Sequence, residues 1–158
     1  MLKPRWHVRE AMEILTPSIE RLLRHTGRPG FHFIVLNPRV FPWMVNGDVR
    51  KAILHEGFIG GNDGRHEYRE IALSKAKQAW ISGMPNIFVQ TSAPVLLQTG
   101  DTPYFGSFVY NGAVAAVSGL DPWFDQLVSM WIAGTFQEAT QSYRQKWMKE
   151  HPDEDFFP

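Results

Sequence analysis

The 158-residue chain contains no cysteine. That excludes a disulfide framework, a thiolate metal centre and a cysteine nucleophile, and it suits a reducing cytoplasm. Neither sign of charge is in excess, because 16 Lys and Arg balance 16 Asp and Glu. Nucleic-acid-binding domains carry a basic face of clustered Lys and Arg; no such cluster occurs, and no nucleic-acid partner is expected. One long stretch is nearly free of charge. Between Lys77 and Asp121 the single ionised side chain is Asp101. Pro85, Pro94 and Pro103, with Gly, Ser and Asn between them, interrupt that stretch before it could span a bilayer. No membrane partner is expected either. The N-terminal MLKPRWHVRE also lacks the apolar core of a signal peptide.

What is present fits one domain over residues 1–158, ending in an acidic and aromatic tail at 151–158. A chain of this length buries roughly 68–70% of its unfolded surface. Charge is unevenly distributed. Residues 1–77 hold 13 Lys and Arg against 8 Asp and Glu, whereas residues 78–158 hold 3 against 8. The two halves are expected to fold against each other, or to oppose each other between protomers.

HVREAMEILTPSIERLLRHTG has the apolar spacing of a helix, with Val8, Ala11, Ile14 or Leu15, Ile19 and Leu22 recurring at three- and four-residue intervals. Pro17 either kinks it or starts a second helix capped by Thr16. FHFIVLNP and AILHEGFIGG read as strands, the second followed by an exposed, flexible loop GGNDGRH. EYREIALSKAKQAWISG reads as a helix whose Ala72, Ala76, Ala79 and Gly83 face a sheet while Arg69, Lys75 and Lys77 face water. In GSFVYNGAVAAVSG, two β-rich runs flank Asn111-Gly112, the signature of a type I′ hairpin. Its register pairs Tyr110 with Ala113, Phe108 with Ala115 and Gly106 with Val117. Extended further, it sets Tyr104 opposite Gly119 and Thr102 opposite Asp121. Asp121-Pro122 then caps a long final helix.

GDTPYFGS, residues 100–107, is the stretch where chemistry concentrates. By the register, the hydroxyls of Thr102, Tyr104 and Ser118, the backbone at Gly119, the Asp101 carboxylate and the final helix N-terminus share one end of the sheet. A helix N-terminus favours an anionic group. The competing reading is a turn at Asp101 and a simple cap at Asp121. His55-Glu56 and His66-Glu67 twice place an imidazole beside a carboxylate, so His55 and His66 are candidate metal or haem ligands. Their spacing matches no zinc motif. Trp43, Trp80, Trp123 and Trp131 either line a flat pocket for a planar ligand or form core.

EIALSKAKQAW and LLQTGDTPYFGSFVYNGAVAAVSG, with the helix after them, resemble the HbpS/GlcG-like family of haem-binding or haem-degrading proteins. Ala72, Lys75, Ala76 and Ala79 match the family's helix; Gly106, Asn111-Gly112, Val114, Ala116 and Ser118-Gly119 match its hairpin. The family's D-x-x-G after the first strand is replaced here by Asn37 to Val40. The resemblance implies an α+β domain with a sheet of about five mostly antiparallel strands flanked by helices, and a tendency to form homo-oligomers.

Three functional readings stand side by side. The first is a cytoplasmic small-molecule-binding protein, holding haem or another planar anionic ligand through Asp101, Thr102, Tyr104, Ser118 and Gly119, with His55 or His66 on iron. The second is a catabolic enzyme of hydrolase or tautomerase type acting on a small organic acid. There Asp101 or His55 is the general base, and Asp101 is a lone acid whose desolvation would raise its pKa. The third is a structural homo-oligomer.

Overall fold

The computed structural model describes residues 4–61 and 66–157, apart from the His66 side chain. The elements are α1 (Pro4–Thr26), β1 (Gly30–Leu36), β2 (Ile53–Gly60), α2 (His66–Ser82), α3 (Asn86–Ser92), β3 (Ser107–Tyr110), β4 (Ala113–Ser118) and α4 (Pro122–Glu150). The strands form one antiparallel sheet in the order β2-β1-β4-β3.

Helices cover both faces of this sheet. Phe31, Phe33 and Val35 of β1 and Ala113, Ala115 and Val117 of β4 pack under α1 and α4. Ile34, Leu36, Val114 and Ala116 face Ala72, Leu73, Ala76 and Ala79 of α2. The central strand β4 is therefore buried at all of its positions, and it reads as a continuous apolar run rather than an alternating one. Its alanines keep the layers close.

Four strands form, not the five implied by the family resemblance, among the described residues. The segment ahead of the hairpin is consumed by α3 and a 3-10 turn at Pro94–Leu96. Helix α3 was not anticipated. Its Asn86 holds the following chain: the side-chain oxygen accepts from the Gly106 and Ser107 amides and the Ser107 hydroxyl, and the amide donates to the Tyr104 carbonyl.

Pro17 lies within a single unbroken α1, exposed, while the Thr16 hydroxyl bonds back to the Met12 carbonyl instead of capping a second helix. Of the loop expected at GGNDGRH, residues 60–66, positions 62–65 lie outside the described residues, while Gly60 ends β2 and His66 begins α2. The hairpin turn has φ 47° at Asn111 and 83° at Gly112, as a type I′ turn requires. Tyr110 pairs with Ala113 and Phe108 with Ala115, and the Val117 amide reaches the Gly106 carbonyl at 2.9 Å.

The ladder stops there. At Gly106, φ 140°, the strand leaves the sheet, so the extension to Tyr104–Gly119 and Thr102–Asp121 does not form. Thr102 is drawn towards α2 and α3, its amide bonded to the Ser74 hydroxyl and its carbonyl to the side-chain amides of Gln78 and Gln90. The tail folds back on its own helix, with Trp147 stacked on His151 and in contact with Phe157.

Candidate functional site

Where β4 ends, a buried ion pair joins the two helical layers. Lys75 of α2, expected in water, is 1% exposed, and its ammonium lies 2.8 Å from both Asp125 Oδ2 on α4 and the Val117 carbonyl. Asp125 also accepts the Leu120 amide at 3.0 Å. Burial pushes Asp125 up to about 6 against the opposing pull of Lys75, and burial likewise lowers Lys75. Both glycines of this region are needed. A Cβ at Gly106 would sit 2.5 Å from Asp125 Cβ, and one at Gly119 would sit 2.7 Å from the Gly30 carbonyl oxygen.

Above the pair opens a cavity of about 320 Å³. Tyr104, Ser118 and Gly119 line it, together with Tyr68, Lys75, Arg28, Asp121 and Asp125. Asp121 occupies the N-cap position of α4, but its side chain makes no capping bond; it turns to Arg28 at 2.6 Å. Each cation at the cavity thus has its own carboxylate, and the wall is charge-balanced rather than anion-seeking. Both pairs also join the basic first half of the chain to the acidic second half.

The other expected site residues lie elsewhere. Asp101 closes a local turn, its carboxylate accepting the Gln98 amide at 2.8 Å. Thr102 is buried beneath α2 and α3 and does not line the cavity with Ser118. His55 is on the sheet face covered by α1, its ring against Phe33. Burial and then the neighbouring Arg5 and Arg9 lower its pKa. Successive strand residues point to opposite faces, so His55 and Glu56 are separated, and the imidazole that meets Glu56 is that of His32. The His66 side chain lies outside the described residues.

Among the described residues, His55 is held away from the cavity and offers no iron ligand there. No histidine lines the cavity, and no cluster of three metal-ligating side chains occurs among the described residues. The four tryptophans are also dispersed. Trp43 and Trp80 border an apolar cleft of about 520 Å³ with Phe41; Trp123 is exposed against Phe105, and Trp131 packs on the α1–α4 core.

Sequence reasoning missed Lys75, Asp125 and His32. A signal existed for Lys75, which stands three residues after Ala72 and four before Ala79, on the buried stripe itself.

No family model and no curated protein matches the chain. Among solved structures, the fold is similar to Klebsiella pneumoniae protein ORFY, a DUF336 protein, with a TM-score of 0.54. Identity is 15%, over 81% of this chain and 88% of that one. The fold is DUF336-like. DUF336 includes the GlcG-like proteins, so the family resemblance read from the helix and hairpin motifs agrees with the architecture. Among the described residues no helix is long and apolar enough to cross a membrane.

Proposed function

We propose that this chain is a small-molecule-binding protein whose site is the cavity lined by Tyr104, Ser118 and Gly119. The observation that supports it is convergence: three hairpin-base residues meet a buried, charge-balanced Lys75–Asp125 pair at one concave place. Because the charged groups are already paired, hydrogen bonding selects the ligand, and a small polar molecule suits the site better than a large planar anion. A thermal-shift screen of small hydroxy acids, keto acids and esters tests this. The expected result is a stabilising compound whose affinity falls about tenfold in Ser118→Ala or Tyr104→Phe, the worth of one hydrogen bond. His55→Ala and Asp101→Asn should leave it unchanged. A compound indifferent to both cavity substitutions would overturn the reading, as would a haemin titration showing a saturable Soret shift lost in His55→Ala. The same reading includes association with further copies of the chain, for which sedimentation equilibrium at a mass above 18.1 kDa is the check.

A further inference from the structure

Ser118 brings a hydroxyl to the cavity wall. Ser118 is 4% exposed and lines the cavity, yet among the described residues its side chain makes no hydrogen bond. Its oxygen is not among the buried side-chain atoms left without a partner, so it opens into the cavity rather than being sealed in the core. The sheet register shows what lies beside it. Ser118 on β4 is directly opposite His32 on β1, and Cβ atoms of such partners stand about 4.5–5.5 Å apart. The two side chains are not hydrogen-bonded in this structure, so a relay between them requires Ser118 to turn about its Cα–Cβ bond towards the ring.

The imidazole is held from its far side. His32 Nε2 lies 3.0 Å from Glu56 Oε2, and Glu56, opposite Ile34 on β2, shares the α2-covered face with His32. Arg69 on α2 bonds both Glu56 oxygens at 2.8 Å each. That bonding keeps the Glu56 carboxyl below its usual range although burial opposes it. An ionised carboxylate only accepts, so Nε2 of the neutral ring carries the proton and Nδ1 keeps a lone pair. Nδ1 has no hydrogen-bond partner among the described residues.

We propose that Ser118, His32 and Glu56 form a nucleophile–base–carboxylate relay across three adjacent strands, making the cavity the acyl site of a small-ester hydrolase. This rests on the cavity reading above and adds a reaction to it. Ser118 Oγ bonds to the ester carbonyl carbon as its proton passes to His32 Nδ1. Lys75 has three donors and two acceptors in contact, which leaves one N–H for the oxyanion. The C–O bond to the alcohol then breaks, and the alcohol leaves with the imidazolium proton. Water, deprotonated by the same Nδ1, cleaves the acyl-serine and restores the hydroxyl, releasing the acid. Glu56 is a positioning residue that fixes the ring tautomer.

A fluorophosphonate probe tests this without the natural ester. Ser118 Oγ bonds to phosphorus, fluoride leaves, and the proton goes to His32. Intact-mass and peptide mapping should find one adduct on Ser118 in the wild type and none in Ser118→Ala. Labelling should slow about a hundredfold in His32→Gln, with melting temperatures checked in parallel. In Glu56→Gln, the ring ¹⁵N shifts of His32 should show loss of the single Nε2–H tautomer; an unchanged tautomer removes Glu56 from the relay. If His32→Gln fails to fold, slowed labelling in a folded Glu56→Gln carries the test. If a screened compound still binds at the cavity while the probe leaves Ser118 unmodified, or reacts as fast in the folded base-relay variants, the relay is overturned and the cavity stands. No bound compound and no adduct overturns both.

Discussion

At the residue scale, the Lys75–Asp125 pair governs the interior. Both side chains are almost completely buried, and burial drives both towards their neutral forms, so their mutual attraction falls short of the cost of desolvation. Removing one partner is worse than keeping both. Lys75→Met should lower stability by about 3–5 kcal/mol in urea unfolding. Adding Asp125→Leu should recover only part of that, because the Leu120 amide then loses its acceptor.

The pH dependence has a definite sign. Asp125 titrates near 6 when folded against 3.8 ordinarily, so between these values the folded state binds the extra proton. Its contribution to stability is therefore full at low pH and is lost as pH rises from about 3.8 to 6. Plotting melting temperature against pH for wild type and Asp125→Asn should show this decline in the wild type alone. Lys75 was legible as a stripe position but not as a buried charge, since only α4 brings the compensating carboxylate.

At the element scale, two glycines with positive φ behave differently. Gly112 in the hairpin turn has open space where a Cβ would project, so Gly112→Ala carries only the left-handed backbone penalty, about 1–2 kcal/mol. Gly106 has φ 140° and Asp125 and Lys75 against it, so Gly106→Ala adds steric overlap to strain and should cost clearly more in the same chemical denaturation assay. The hairpin was readable because Asn111-Gly112 sets turn and register locally. Its continuation was not. Asn86 of α3, twenty residues upstream, bonds the Gly106 and Ser107 amides and pulls the chain off the ladder, and no local pattern reports that contact.

At the scale of the whole molecule, the charge asymmetry is resolved within the chain by Arg28–Asp121 and Lys75–Asp125, which tie its basic half to its acidic half. The pairs are unequal in weight. Arg28 and Asp121 are 43% and 53% exposed, so solvent screening leaves about 0–1 kcal/mol. Arg28→Ala should shift the urea midpoint little, in contrast to Lys75→Met, and that small shift should shrink further in high salt.

By itself the sequence determined α1, α2, α4, the four strands and the hairpin turn, because periodicity and turn chemistry act between near neighbours. Tertiary structure alone decided that Asp101 and Thr102 turn away, that His55 falls on the far face, and that His32 stands beside Ser118. The order β2-β1-β4-β3 places β1 against β4 although Ser118 follows His32 by 86 positions in the chain. Such pairing is set by burying both faces of the sheet at once, a condition that no short stretch of residues carries.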